Sequence, residues 1–326
     1  MFPQYLEIQT QTLCNAHCSI CPYTDVENEV YEGKNLIMPM ETITKIINEA
    51  ANYKQYIKRV IPYLNNEPTL DKRLVDILRL IKSKGFFVEL STNGVGLNQK
   101  LSFQIINEKL VDNLRISFFG GTKETYNSTM TRMDFGTSYK RIKNFCDLNN
   151  SEGKPIDLEI IYVLNPKDNA ENETRNLKEL FPEENIHLFG YLDRAGNNKE
   201  KNKTIYQDCL SATITLNGCS LHRPDERVCI VNNGDVVLCS QDWRRQIIVG
   251  NINDTSLFNI WNGESFEKVR QKVHGKIRAE KDFLCHSCKL INLKVGETTQ
   301  LNFKGDKYMG SDGEKKISVK KGGTLI

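Results

Sequence analysis

The chain alternates short apolar segments with longer amphipathic ones, and this alternation limits the possible folds more than any other feature. Strands are expected at residues 5–10, 57–64, 86–91, 111–118, 156–164 and 186–191, and helices at 40–51, 70–84, 98–108, 138–149 and 170–181. Repeated strand–helix units form a parallel sheet covered by helices, and right-handed connections curl such a sheet toward a barrel. The sequence therefore predicts an α/β fold, a partial (β/α)6 TIM-like barrel, with functional residues on loops at the carboxyl ends of the strands.

Beyond residue 195 the pattern changes. Residues 196–204 are polar and charged, two short strands are expected at 227–231 and 236–239 around Asn233-Gly234, and a helix at 256–272. An Asn-Gly pair between apolar segments is a strong hairpin signal. We expect the barrel over residues 1–195, a linker over 196–208, a small α+β domain over 209–291, and a C-terminal extension over 292–326 that is either a small β unit or a mobile tail.

The composition narrows the class of protein. Among 326 residues, 44 Lys+Arg nearly balance 41 Asp+Glu, for a net charge of +3. A general nucleic-acid binder shows a larger basic excess, no apolar run approaches the roughly 20 residues of a membrane span, and the first residues do not resemble a signal peptide. We therefore expect a cytoplasmic protein that binds neither nucleic acid nor membranes. Its ten cysteines are then expected to be metal ligands or reactive thiols rather than disulfides.

Three of these cysteines, Cys14, Cys18 and Cys21, form a C-x3-C-x2-C motif directly after the first strand. Structural zinc sites normally take four ligands, so three cysteines favour an iron–sulfur cluster with one iron left open. His17 lies inside the loop and could complete a zinc site instead.

This motif, on the loop after the first strand of a β/α chain, resembles the signature of the radical S-adenosylmethionine (SAM) superfamily. The resemblance implies that the three cysteines bind a [4Fe–4S] cluster and that SAM chelates the open iron. It also implies that reductive cleavage of SAM yields a 5′-deoxyadenosyl radical, which abstracts a hydrogen atom from the substrate.

Turns after later strands extend the resemblance. The family's usual Gly-Gly-Glu-Pro turn is matched by Asn65-Asn66-Glu67-Pro68, and the turn 91–94 and Ser117 match positions that contact SAM. The resemblance implies that Glu67 accepts a hydrogen bond from the methionine amino group. The SAM contacts it implies are Ile20, Tyr23, Asn66, Glu67, Ser91, Thr92, Asn93 and Ser117.

Four further cysteines, Cys219, Cys239, Cys285 and Cys288, have the spacing of the twitch domain, a short form of the SPASM extension. This resemblance implies one auxiliary [4Fe–4S] cluster, and a four-cysteine zinc site is the alternative. The remaining cysteines, Cys146, Cys209 and Cys229, are interpreted either as core residues or as thiols that return a hydrogen atom to a substrate radical, with Cys209 and Cys229 better placed for that role. Arg194, after the sixth strand, is a candidate contact to SAM or to a substrate oxygen.

The resemblance favours oxidation of a C–OH group in a small hydroxylated or amino-sugar-like substrate, as in twitch-type alcohol dehydrogenases that act on aminocyclitols. The auxiliary cluster would accept the electron, and a flavodoxin- or ferredoxin-type protein would donate the electron that cleaves SAM. The alternatives are an epimerase with a cysteine hydrogen donor, an enzyme that modifies a ribosomally made peptide, and a zinc or iron–sulfur protein without catalysis.

Overall fold

The structure is a computed structural model that describes residues 2–164, 168–198, 214–295 and 299–301. Its strands are β1 (Tyr5–Ile8), β2 (His17–Cys18), β3 (Arg59–Ile61), β4 (Glu89–Thr92), β5 (Asn113–Ser117), β6 (Met130–Thr131), β7 (Asp157–Val163), β8 (Asn185–Phe189), β9 (Ile214–Cys219), β10 (Arg227–Ile230), β11 (Asp235–Val237), β12 (Ile248–Asn251), β13 (Ile291–Val295) and β14 (Thr299–Leu301). Its helices are α1 (Tyr23–Glu29), α2 (Met40–Ala51), α3 (Leu74–Ser83), α4 (Gln99–Asn107), α5 (Lys123–Thr129), α6 (Phe135–Ser151), α7 (Ala170–Leu180), α8 (Arg223–Glu226), α9 (Leu257–Asn262) and α10 (Glu264–Val273).

The expected partial barrel is confirmed. Strands β1, β3, β4, β5, β7 and β8 lie side by side and run parallel, with a single bridge between Val60 and Val88 joining β3 to β4. Each of the six is shorter than or shifted from its expected range by a few residues. The carboxyl ends of all six strands therefore meet at one edge of the sheet, where the sequence motifs lie.

The helices cover the outer face of the sheet because their apolar residues recur at helical spacing. In α3, Leu74, Ile77, Leu78 and Ile81 are all buried, and each such side chain contributes roughly 1.5–3 kcal/mol when fully buried. Helix α6 begins three residues before its expected start, because the Asp134 side chain accepts a hydrogen bond from the backbone of the first turn. The short helices α1 and α5 were not expected from the sequence.

The second unit shares its sheet with the barrel. The expected hairpin is confirmed as β10 and β11, with Gly234 at a φ of 91° in the turn. Strand β10 also pairs in parallel with β1, and Cys229 lies opposite Glu7. The sheet therefore runs without interruption from β12 through the hairpin and β1 to β3.

The prediction of one continuous helix at 256–272 is wrong. Gly263 adopts an extended backbone, with ψ at 160°, and separates α9 from α10. Strand β13 pairs with β9, and β14 pairs with β13 at the start of the expected C-terminal extension. Residues 302–326 of that extension lie outside the described residues. None of the described helices combines the length and apolar character needed to cross a bilayer.

Candidate functional site

A cavity of about 290 Å³ opens among the carboxyl ends of the barrel strands. It brings together most of the residues that the sequence nominates, from the carboxyl ends of five strands, β1, β3, β4, β5 and β8. Those that line it are Cys14, Cys18, Ile20, Cys21, Tyr23, Asn66, Glu67, Ser91, Thr92, Asn93, Ser117 and Arg194. Cys229 does not line it, and Cys209 lies outside the described residues.

The loop that carries Cys14, Cys18 and Cys21 is held from several sides. The backbone N–H of Cys14 donates to the Tyr23 hydroxyl at 2.8 Å, and Asn93 donates to the Asn15 side chain at 2.7 Å. On the opposite side, β2 pairs with β6, which follows α5. The loop is therefore held in place by contacts within the protein, and Tyr23 contributes one of them.

The three thiols are partly buried and lie close to one another. Burial raises the pKa of Cys14 and of Cys18, and for Cys18 the neighbouring thiolates of Cys21 and Cys14 raise it further. Such thiols ionise only when a cationic centre compensates their charge. Three inward-facing cysteines of this kind fit an iron–sulfur cluster, whose irons they would bind as thiolates.

Glu67 is a fully enclosed carboxylate in the same cavity. Its oxygens accept hydrogen bonds from the Thr69 backbone and hydroxyl at 3.0 and 2.6 Å, from the Thr92 hydroxyl at 2.6 Å and from the Asn93 backbone at 2.8 Å. These donors are neutral, and burial raises the pKa of Glu67. A ligand ammonium group would therefore be the complementary partner for this carboxylate.

The Asn66 side chain beside Glu67 offers a donor. Its Nδ2 atom is buried and finds no hydrogen-bond acceptor among the described residues. Buried amide donors are normally paired, so the geometry points to an oxygen of a bound molecule.

The floor of the cavity is charged, which the sequence reading missed. Glu7 forms an ion pair with Arg227 at 3.0 Å. Glu89 forms ion pairs with Arg59 at 2.5 Å and with Arg115 at 3.6 Å. These residues occupy inward-facing positions of β1, β3, β4, β5 and β10. The available signal is strand periodicity, because a charged residue at an inward position of an otherwise apolar strand faces the barrel interior.

Cys229 lies behind this floor. Its exposed fraction is 0%, and its thiol donates to a Glu7 oxygen at 3.1 Å. Burial and the Glu7 carboxylate raise the pKa of Cys229. Cys146 is also buried, among the apolar side chains of the main core.

The second cysteine set meets at one place in the C-terminal unit. Cys219 ends β9, Cys239 follows β11, Cys285 lies within a 3-10 turn, Leu284–Ser287, and Cys288 directly follows that turn. Burial is the largest of the effects that raise the pKa of Cys288, and the nearby thiolates of Cys239 and Cys219 raise it further.

No group of three His, Cys, Asp or Glu side chains in the described ranges is placed to hold a single metal ion. The thiolates of Cys219 and Cys239 nonetheless lie near enough to raise the pKa of Cys285 and of Cys288. Thiols that are near but not in contact fit a polynuclear cluster, which binds several cysteines at once.

The turn after β8 has an unusual backbone. Arg194, Ala195 and Gly196 have φ values of 53°, 54° and 78°, and the left-handed conformation costs roughly 1–2 kcal/mol for each non-glycine residue. Arg194 reaches the cavity, whereas Asn197 and Asn198 are buried. The expected linker begins within this turn, and residues 199–208 lie outside the described part of the chain.

Comparison with protein families gives two matches. A model described as the radical SAM superfamily matches residues 8–180, and one described as an iron-sulfur cluster-binding domain matches residues 219–289. The tungsten-containing aldehyde ferredoxin oxidoreductase cofactor-modifying protein of Pyrococcus furiosus is 30% identical over 98 residues, which are 30% of this chain and 26% of that protein. The chain thus spans only about a quarter of this relative's length.

Two solved structures show a similar fold. SuiB of Streptococcus suis bound to precursor peptide SuiA has a TM-score of 0.64 at 16% identity, covering 89% of this chain and 70% of SuiB. BtrN in complex with AdoMet and 2-DOIA has a TM-score of 0.53 at 13% identity, covering 85% of this chain and 89% of BtrN.

Proposed function

The chain belongs to the radical SAM superfamily, and on this premise we propose that it oxidises a C–OH group of a small hydroxylated or amino-sugar-like substrate. Membership implies a [4Fe–4S] cluster and SAM, and the iron–sulfur domain implies an additional cluster. When bound, these groups supply a hydrogen-abstracting 5′-deoxyadenosyl radical and an electron acceptor. The observation that supports oxidation is that the floor of the cavity carries a carboxylate and also borders the second cysteine set.

The cysteine sets divide between the two clusters. We propose that Cys14, Cys18 and Cys21 hold the cluster that binds SAM. The auxiliary cluster would be held by Cys219, Cys239, Cys285 and Cys288. The support for both assignments is the grouping of partly or fully buried thiols at two separate places.

SAM would lie across the turns at the ends of β3, β4 and β5. Glu67 would accept from the ammonium group, since burial in a pocket of neutral donors leaves its charge to be balanced by a ligand. The unsatisfied Nδ2 of Asn66 would donate to a SAM oxygen. The other proposed contacts are Ile20, Tyr23, Ser91, Thr92, Asn93 and Ser117.

The substrate would lie between SAM and the charged floor. Glu7 is the proposed acceptor for the hydroxyl proton, because it lines the cavity and is held by Arg227. Arg223 lies 4.0 Å from Glu7 and donates to Ser240, the neighbour of Cys239, at 2.5 Å. This link between the proposed proton acceptor and the loop of Cys239 supports oxidation, in which the substrate loses both a proton and an electron. Arg194 would contact SAM or a substrate oxygen.

The alternative of an epimerase receives less support. A hydrogen-donating thiol must reach the substrate, and Cys229 is enclosed behind Glu7 and absent from the lining of the cavity. Cys209 stays an untested candidate. Modification of a peptide is the other alternative, and the fold shared with SuiB is compatible with it without arguing for it.

The test is anaerobic reconstitution followed by reduction, with a flavodoxin- or ferredoxin-type protein as the proposed donor. We expect about eight irons per chain, cleavage of SAM to 5′-deoxyadenosine, and a ketone without solvent deuterium when aminocyclitols and amino sugars are offered in D2O. One incorporated deuterium that Cys209→Ala or Cys229→Ala abolishes would establish epimerisation instead. If only peptides are turned over, peptide modification would replace the proposal of a small-molecule substrate. If no reductant supports SAM cleavage, the proposal that the protein is an enzyme would be refuted.

A further inference from the structure

We infer that the turn of residues 193–198 is a positioning element that fixes the two cluster-bearing loops relative to each other and to the cavity. The inference rests on the proposed assignment of the two cysteine sets, and it does not depend on which substrate is oxidised. It assigns positioning roles to Asn197 and Asn198, whose side chains reach one loop each.

Asn198 holds the loop of the first cysteine set. Its Nδ2 atom donates to the backbone oxygen of Ile20 at 3.0 Å, across 178 residues of sequence, and to that of Leu192 at 3.3 Å. Ile20 lies between Cys18 and Cys21 and lines the cavity. A shift of Asn198 would therefore move the backbone that joins two of the three cysteines.

Asn197 and Gly196 hold the loops of the second set. The Asn197 Nδ2 atom donates to the backbone oxygen of Gln241 at 3.0 Å, and Gln241 lies two residues after Cys239. A Cβ atom on Gly196 would lie 3.0 Å from the Cβ atom of Ser287, which stands between Cys285 and Cys288. The turn is thus packed against two of the three segments that supply the second set.

The backbone of the turn supports a dedicated role. Arg194 and Ala195 keep left-handed backbone angles, which persist only where the surroundings over-determine them and which concentrate at functional sites. The same residues bring the Arg194 side chain to the cavity. One short segment therefore lines the cavity and contacts the loops that carry both cysteine sets.

The test compares Asn198→Ala and Asn197→Ala with wild-type holoenzyme in the absence of substrate. The matched control is Asn149→Ala, because Asn149 is also a buried asparagine that donates to a backbone oxygen at 3.0 Å, that of Ile156, but its bond stays within the barrel. Iron content, thermal unfolding, the electron paramagnetic resonance spectrum of each reduced cluster, and the magnetic coupling between the two clusters are measured.

We expect Asn198→Ala to shift the spectrum of the SAM-binding cluster, because the backbone between Cys18 and Cys21 loses the hydrogen bond that Asn198 donates to Ile20. Asn197→Ala should alter the auxiliary spectrum, and both variants should alter the coupling. The control should lower the unfolding temperature alone.

A variant that loses iron also supports the inference if the iron is lost only from the cluster whose loop the replaced asparagine contacts. Loss from the other cluster or from both would overturn the inference. Wild-type spectra and coupling in both variants, with stability lowered as in the control, would also overturn it. Because no substrate is present, a wrong reaction assignment would not change these results.

Discussion

Replacing Glu67 by glutamine separates its role in SAM binding from its role in the fold. In the structure one Glu67 oxygen accepts three hydrogen bonds, two from Thr69 and one from Thr92, and the other accepts one from the Asn93 backbone. Glutamine keeps the first oxygen, but its amide nitrogen would face the Asn93 N–H. Leaving that N–H unsatisfied costs about 1–3 kcal/mol, which is partly offset because a buried charge is removed.

The effect on SAM binding should be larger than the effect on stability. A hydrogen bond to a charged group contributes about 1.5–3 kcal/mol, so the loss of the ammonium–carboxylate contact should weaken SAM binding roughly 10- to 100-fold. The assay is isothermal titration of SAM into anaerobically reconstituted protein, with unfolding temperatures measured in parallel.

Glu89→Gln is the matched control, because Glu89 is another deeply buried glutamate that lines the cavity. It is 1% exposed and pairs with Arg59 and Arg115 rather than with neutral donors. Breaking a buried ion pair costs about 3–5 kcal/mol, so this variant should lose more stability yet bind SAM normally. The reasoning is refuted if Glu67→Gln binds SAM within about twofold of wild type, or if Glu89→Gln weakens SAM binding equally.

Three further predictions address the pH dependence, the auxiliary site and the packing. SAM binding should weaken as the pH falls, because burial raises the pKa of Glu67 and a protonated acid cannot pair with an ammonium group. Titrations in buffers of different protonation enthalpy should show that a proton is released when SAM binds. SAM binding that does not depend on pH would contradict this prediction. Cys285→Ser should lower the iron content from about eight to about four per chain while SAM still binds, and loss of all iron would argue against two separate sites. Gly275→Ala should destabilise the fold by at least about 3 kcal/mol, because its Cβ would lie 2.0 Å from a backbone oxygen. Gly153 has a similar positive φ with open space around it, so Gly153→Ala should cost only about 1–2 kcal/mol. Equal losses of stability in chemical denaturation would show that the backbone conformation, and not the steric clash, sets the cost.

The barrel could be predicted because its signals are local. Apolar segments of strand length, helical spacing as in α3, and turns such as the one containing Glu67 are each readable within a dozen residues. Since parallel strands bring their carboxyl ends to one edge, the same logic placed Cys14 and Ser117 at one cavity without knowledge of any contact between them.

Non-local and interior features could not be read in this way. Nothing near β1 indicates that its second neighbour is β10, because that pairing depends on which edge of the finished sheet is open. The pairing of Glu89 with Arg59 and Arg115, and of Arg227 with Glu7, could not be predicted, since the partners lie on different strands and meet only in the closed barrel. Cys229 was considered a candidate hydrogen donor from its place in the hairpin, whereas its burial against Glu7 depends on the same long-range pairing.

The pairing of β1 with β10 also has a consequence for synthesis of the chain. Strand β1 leaves the ribosome before β10, because Cys229 on β10 follows 222 residues after Glu7. In the interval β1 has an open parallel edge, which can pair with other chains, and pairings this distant in sequence form slowly. The nascent barrel is therefore an aggregation-prone intermediate until β10 pairs with β1. Chains truncated before β10 should accumulate in aggregates.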